Sequence, residues 1–497
     1  MDAGRTRREF LRTAAGGGFL LALAALPGCE MDRGARARAT ASATAWEFRS
    51  RPDLKPPPIE VTKAASGTSP GYVFVAAKNG PGEVHGAQDG AMILDERGRL
   101  VWFLPVAAEE RDAMDFKAQR YRGEPVLTWW EGEHSGYGRG EYVIADGSYE
   151  EIGRLRTGNG YEGDHHEFLL SPRGTAYVTI YHETPMDLSA AGGRAEDVVV
   201  DGIAQEIDVE TGEVLFEWHS LEHVGVDESY YELTPDLEEP YDYFHINSIE
   251  EYGEDHLLIS ARRTSAVYKV ARATGEVVWR LGGKGSDFTM GEGTRFAFQH
   301  DARLRPDGTI TLFDNRGEDM NEPSRGIRLE LDEEAMTASL LQEYAVPQDP
   351  FATYQGNVQN LPNGNVFVGW GSAPFVSEHD PEGDLLFEAR FPEEVESYRA
   401  FRSPWLGRPR RRPDLALEAD SGDDVTAYAS WNGATEVATW EVLAGRDPDS
   451  LEPVAEAPSK GFETVIRTRT GQPYVAVRAK DGAGEEIGVS EAIQPPN

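Results

Sequence analysis

Cysteine is nearly absent: Cys29 is the only one in 497 residues. A single thiol excludes any disulfide within the chain, so the fold has to be held by its core. Ten tryptophans supply material for a large one. Positive charge is scarce as well. Lys and Arg number 48 against 86 Asp and Glu, and the formal net charge of −38 is spread over turns instead of forming blocks. That balance argues against nucleic acid as a partner. No helical stripe follows the first thirty residues, so no glycine loop opens a helix to cradle a nucleotide phosphate. Long apolar runs are missing except for Phe19 to Leu26, which is too short to span a membrane.

That run sits in residues 1–29, a targeting segment to be set aside from fold reasoning. Arg7-Arg8-Glu9-Phe10-Leu11 has the form of a twin-arginine export signal, and Leu26-Pro27-Gly28-Cys29 that of a lipobox. The expectation is export of the folded chain, acylation at Cys29 and a lipid anchor on the outer face of a bacterial cell membrane. Residues 30–58, rich in Ala, Arg, Ser, Thr and Pro, read as a flexible tether.

What is present from there on is repetition. His166, His245 and His300 each stand eight positions ahead of a glycine (Gly174, Gly253, Gly308), in HHEFLLSPRGTAYVTIYH, HINSIEEYGEDHLLISARR and HDARLRPDGTITLFDNR. Asp115 before Gly123 and Gly356 before Gly364 keep the same frame, and Lys63 before Gly71 gives a weaker sixth copy. A second phrase, an apolar run, an acidic turn and another apolar run, recurs six times, as in QEIDVETGEVLFEW and YKVARATGEVVWRL. Six units of roughly 50 to 60 residues mean a solenoid or a propeller. Alternating Val, Ile, Phe, Tyr and Trp broken by Pro-x-Gly and Thr-Gly turns predicts four short antiparallel strands per unit. The reading is an all-β six-bladed β-propeller over residues 59–402.

Beyond a proline-punctuated basic linker, residues 403–413, the frame disappears. Residues 414–497 alternate at the spacing of a small β-sandwich that resembles a fibronectin type III module, with Trp431, Trp440 and Tyr474 as its expected core.

If the shared glycines close hairpins, residues eight before and eight or nine after the turn lie at the same end of a blade. His245 then sits near Arg262, His300 near Arg316, and His166 near His182. Equivalent positions of successive blades point to one place, so the three histidines should converge on one mouth of the central channel. His165 should point away from His166 along its strand and serve as scaffold. His219 and His256 read as surface or blade-packing residues, and Trp129, Trp130 and Trp370 as wedges between blades.

DxHEF from Asp164 to Phe168, FHINSI from Phe244 to Ile249, SARR from Ser260 to Arg263, and FQHDARLRPDGTITLFDN from Phe298 to Asn315 resemble, in this order, the arylsulfotransferase family of periplasmic, nucleotide-independent enzymes. The resemblance covers roughly residues 60–400. It implies a six-bladed propeller that moves a sulfuryl group from an aryl sulfate to a phenol through a sulfohistidine. It places the nucleophile on His300, the supporting histidines on His245 and His166, and the sulfate-binding arginine on Arg262. The amino-terminal sandwich and the disulfide of the better-known branch are lacking, and a carboxy-terminal sandwich is there instead, as in a divergent branch.

The chemistry stands without the family. Sulfuryl transfer passes through a loose transition state, so the protein contributes positioning and positive charge more than bond-making. Arg262 and a protonated His245 supply that charge. His300 presents an unprotonated nitrogen, Asp301 points away from it by strand alternation, and His166 exchanges the phenolic proton. Arg316 and His182 are candidate substrate contacts. No cofactor and no metal is needed, and the partners are small aryl sulfates and phenols.

Three rivals remain open. Three histidines can bind zinc, but no supporting carboxylate recurs at a fixed offset and the arginine disfavours a cation. TGEVVWRL resembles the repeat phrase of quinone-dependent propellers. The third rival is a lipid-anchored binding or scaffold propeller without catalysis.

Overall fold

In the computed structural model, which describes residues 45–80, 86–106, 111–316, 322–419 and 422–496, alternating runs build antiparallel hairpins almost throughout. The export signal and Cys29 lie outside the described residues. Six sheets follow one another in chain order. Their innermost strands are Val395–Ser403, Asp112–Tyr121, Asp164–Leu170, Ile246–Tyr252, His300–Leu304 and Asn357–Asn360. Each packs on the next, and Asn357–Asn360 packs on Val395–Ser403, so the ring closes. The fold is a β-propeller.

Both ends of the ring are sewn by strands distant in sequence. Val395–Ser403 pairs antiparallel with Tyr72–Asn79 as the inner strand of the first sheet, and Glu60–Lys63 pairs with Leu385–Arg390 at the outer edge of the sixth. This corrects the weak sixth copy of the histidine frame. Gly123, Gly174, Gly253, Gly308 and Gly364 do close inner hairpins, with φ between 69° and 91°, a backbone region that favours glycine. Gly71 closes none, because the inner strand of the first sheet comes from the other end of the chain.

The tryptophans pack between sheets. Trp129 lies against Phe116 (ring centroids 6.2 Å apart), Trp130 Nε1 donates to Gly163 O (2.9 Å), and Trp370 meets Phe313 edge-on at 5.5 Å. The second half of the expected tether is docked: Leu54 is buried, Phe48 lies on Phe462 (4.3 Å), and Ser50 N donates to Glu463 Oε2 (2.6 Å). Trp46, Phe48 and Leu54 are apolar residues in a polar stretch, and burying them outweighs the composition around them.

The carboxy-terminal residues form two facing sheets, of three and four strands, around one core that includes Ala427, Trp440, Val442, Ile466 and Val477. Trp440 belongs to that core as expected. Trp431 is half-buried at its rim and donates Nε1 to Arg411 O (2.6 Å), and Tyr474 is also half-buried. The sandwich is fixed to the propeller: Asn432 exchanges hydrogen bonds with the backbone of Phe103 (2.9 and 3.0 Å), and Tyr149 donates to Gly433 O (2.7 Å).

The central channel is filled by charge. Arg399, fully buried, contacts Asp115 Oδ1 (3.1 Å), Glu167 Oε1 (3.3 Å) and Asp301 Oδ1 (3.3 Å), and donates to Asn247 O (2.8 Å). Arg303 adds Glu167 Oε2 (2.5 Å) and Asp301 Oδ1 (2.7 Å), and Lys117 adds Asp115 Oδ2 (2.6 Å). Val358 N donates to Asp301 Oδ2 (3.2 Å), so all six inner strands touch the network. Removing one partner of such a group leaves uncompensated buried charge, which costs about 3–5 kcal/mol. Arg399→Leu should therefore lower unfolding stability by about that much in a denaturant titration. Arg408→Leu, which breaks an exposed pair with Glu436, should leave it nearly unchanged. Equal effects of the two substitutions would remove the network as the keystone of the ring.

Candidate active site

Three histidines meet at one end of the channel, above the ion network. His166 lies in the third inner strand, His245 immediately precedes the fourth, and His300 opens the fifth. One ring nitrogen of each lies within 4.8 Å of the other two. The column seen in the repeat is thus a cluster in space.

Each ring is held by its Nδ1. His166 Nδ1 donates to Asp164 Oδ1 (2.5 Å), and that carboxylate also accepts from the backbone of Gly138 (2.6 Å) and His166 (2.9 Å). His245 Nδ1 donates to Asp242. His300 Nδ1 faces Asn315 Oδ1 at 2.8 Å. The Asn315 amide nitrogen donates to Ala352 O (2.6 Å) and Gln355 O (2.9 Å), which fixes its oxygen toward the imidazole and makes His300 Nδ1 the protonated nitrogen. His300 Nε2 is left with its lone pair, accepting one long contact from Gln355 N (3.3 Å).

Burial is the main cause that lowers all three imidazoles. For His300 the positive charge of Arg262 adds to it, and His300 is held well below the ordinary range. For His166 and His245 the carboxylates Asp164 and Asp242 oppose burial without overcoming it. His245 is therefore neutral near neutral pH, against the expectation that it carries charge.

Arg262 stands beside the cluster. Its backbone N donates to His245 O (2.9 Å), its Nη2 to Thr353 O (3.1 Å), and its guanidinium lies 5.2 Å from the centre of the Phe298 ring. Its buried Nε has no hydrogen-bond partner, and no carboxylate lies within ion-pair distance of Arg262 among the described residues. Burial and then Arg263 lower it to about 10, so it remains a cation at neutral pH. Arg263 is directed to Tyr231, 3.9 Å from the ring centre.

Two expected contacts fall elsewhere. Arg316 is taken up by carboxylates, Asp314 at 3.4 Å and also Glu322. His182 is exposed beside Tyr161, because alternation sends its neighbour Tyr181 inward instead. Tyr181 stacks on His166 (5.2 Å, 23°), meets His245 edge-on (5.4 Å) and donates to Ile246 O (2.6 Å).

His165 departs from simple alternation as well. The ladder slips between Val178 and Thr179, and this bulge turns the His165 ring alongside that of His166, 4.0 Å between centroids. Burial lowers His165 to about 4, and His134 meets it edge-on at 4.7 Å. Asp301, as expected, faces away from the cluster, into the ion network. His219 packs against Asp201 (2.7 Å) at the blade rim, and His256 is half-buried at a hairpin turn.

Sequence reasoning missed Asn315, Asp242 and Tyr181. Asp242 had a signal, three positions before His245 as Asp164 is two before His166. Asn315 sat in the quoted motif without a role. Carboxylates do support two of the three histidines, Asp164 on His166 and Asp242 on His245, though not at one fixed offset in sequence.

A family profile described as "Arylsulfotransferase (ASST)" matches residues 117–392, more than half of the chain and all three histidines with Arg262. The chain belongs to the arylsulfotransferase family. Comparison with curated proteins found no match. Among solved structures, one similar chain is a protein of unknown function from Bacteroides caccae, 14% identical, covering 67% of this chain and 100% of its own, with a TM-score of 0.40. Another is a streptogramin B lyase, 9% identical, covering 74% of this chain and 94% of its own, TM-score 0.35. A third is the Dos1 propeller, 13% identical, covering 68% and 72%, TM-score 0.30. The phrase shared with quinone-dependent propellers lies on outermost strands, where Trp279 packs edge-on against Phe288 at 5.3 Å.

Family membership makes aryl sulfotransfer the activity against which site residues are tested. Asn315→Leu removes the acceptor that fixes the His300 tautomer while leaving the nucleophile. It should lower kcat by about 10²- to 10⁴-fold, as loss of a tautomer-holding group does elsewhere, with a much smaller change in KM. Steady-state kinetics on an aryl sulfate measure both, and an unchanged kcat would exclude Asn315 from the reaction.

Proposed function

We propose that this protein transfers a sulfuryl group from an aryl sulfate to a phenolic acceptor, without a nucleotide, through a sulfohistidine on His300. The observation that carries the reading is the pairing of an unprotonated His300 Nε2 with Arg262, a buried cation with no carboxylate within ion-pair distance among the described residues.

In the first half of the reaction, His300 Nε2 attacks sulfur and the bond from sulfur to the aryl oxygen breaks. Asn315 keeps the Nδ1 proton, and the sulfuryl oxygens lie toward Arg262, whose charge stabilises them as the transition state loosens. The aryloxide leaves as the anion and is protonated by solvent. In the second half neutral His166 Nε2 takes the proton of the acceptor phenol, whose oxygen attacks sulfur as the bond between nitrogen and sulfur breaks. Asp164 stabilises the resulting imidazolium until its proton passes to solvent. Protons and charge balance over the cycle.

We further propose that the chain is exported folded and held by lipid at Cys29, on the strength of Arg7-Arg8 and the sequence before Cys29. Cys29→Ser should release the protein from the membrane fraction or leave it unprocessed, as read by fractionation and mass. An unchanged membrane fraction rejects the anchor.

His300→Ala should abolish transfer from a chromogenic aryl sulfate to an added phenol, measured with no nucleotide present. Arg262→Ala should leave a residual rate lower by about 10²- to 10³-fold. Quenching the wild type with donor and no acceptor should leave one acid-labile sulfuryl group on the peptide containing His300. A label on His166 or His245 reassigns the nucleophile, and a fully active His300→Ala overturns the covalent mechanism.

A further inference from the structure

The three Nδ1 hydrogen bonds have a joint consequence. With Nδ1 of His166, His245 and His300 engaged by Asp164, Asp242 and Asn315, all three rings are left with Nε2 as the nitrogen able to coordinate. A trio of imidazoles, each oriented through its second nitrogen by a carboxylate or amide, is the donor set and supporting shell of a three-histidine zinc site.

We infer that the His166, His245 and His300 cluster binds one divalent ion of the zinc class, and that this ion excludes the aryl sulfate from the site. Binding of the ion does not rest on the sulfotransfer reading; only the exclusion does.

The geometry asks for modest movement. Zinc-to-nitrogen bonds of about 2.0–2.1 Å in a tetrahedron put nitrogens about 3.4 Å apart, and one ring nitrogen of each histidine already lies within 4.8 Å of one on each of the others. His300 must give up only the long contact from Gln355 N (3.3 Å). Arg262 works against a bare cation, and this selects the fourth ligand: an anion such as hydroxide or chloride, which carries its charge toward the guanidinium. An ion there occupies the Nε2 lone pair that attacks sulfur, so metal and donor compete for one nitrogen.

The test uses the full chain freed of metal by a chelator and titrated with cobalt(II) alone. The expected result is one equivalent giving the intense visible absorption of a four-coordinate ion, displaced by zinc. His245→Gln and His300→Gln should each abolish that spectrum, and Asp242→Asn should weaken binding about 10- to 100-fold. Weak, six-coordinate absorption that persists in both histidine variants would assign the metal to the acidic surface and overturn the inference. In the transfer assay zinc should raise the apparent KM for the aryl sulfate and leave kcat unchanged. Zinc that binds as expected but lowers only kcat would refute the exclusion. Absence of any transfer, with the cobalt spectrum intact, would count against the sulfotransfer reading and leave the metal site standing.

Discussion

Everything at the axis of this propeller depends on Arg399. It is fully buried on the strand that closes the ring, and it contacts carboxylates from the second, third and fifth inner strands. A buried ion pair is a weak stabiliser against a well-packed apolar alternative, because desolvation offsets most of the attraction. Its stronger effect is on specificity: each charge left unpaired by a shifted strand costs several kcal/mol, so only one mutual register of the inner strands satisfies them together. The network holds three cations, Lys117, Arg303 and Arg399, against Asp115, Glu167, Asp301 and Glu250. Burial pushes Glu250 up to about 7 despite Arg303, which lessens the excess of negative charge.

The same strands carry the site, and the two are interleaved. His166 is followed by Glu167, His300 by Asp301, and Tyr398 by Arg399. In each pair one residue faces the histidine cluster and the next faces the ion network, so fixing the charges fixes the rings. The backbone bends to allow it. Asp301 and Asp115 in the network, and His245 in the cluster, have φ of 59°, 56° and 59°, a left-handed conformation that Asp and His tolerate better than most residues. Such strain persists where surrounding contacts over-determine it, and the hydrogen bonds and ion pairs on both sides of these residues do that.

The parts of this arrangement that follow from local rules were legible in the sequence. A glycine eight residues after each histidine reports a hairpin of fixed length, and hairpins of fixed length in a ring bring equivalent residues together. Closure by Val395–Ser403 was not legible, since nothing in that strand names a partner more than 300 residues earlier. Alternation failed at the bulge beside Thr179, which put His165 next to His166; taking His182 instead of Tyr181 was a separate error of a single residue on a regular ladder. Asn315 was invisible as a tautomer lock because its role depends on two carbonyls, of Ala352 and Gln355, from the connection that leads into the sixth sheet. The neutral state of His245 could not be read either, because burial decides it.

Charge at the site also bears on which esters the proposed reaction admits. An aryl sulfate brings one negative charge, and beside the three imidazoles stands Arg262, a cation with no carboxylate within ion-pair distance among the described residues. The two match without a metal. A phosphate monoester near neutral pH brings close to two charges, of which Arg262 compensates one; the second has to be met by protonating a histidine against its burial. His245 is the ring best supported for that, with Asp242 on its far nitrogen, yet the proton then sits beside Arg262 and Arg263, which oppose it. Discrimination between sulfate and phosphate on this surface is therefore a matter of how many positive charges the pocket can hold close together. The carboxylates that might have paired with more arginines are committed elsewhere, Asp164 and Asp242 to imidazoles and Asp115, Glu167 and Asp301 to the channel.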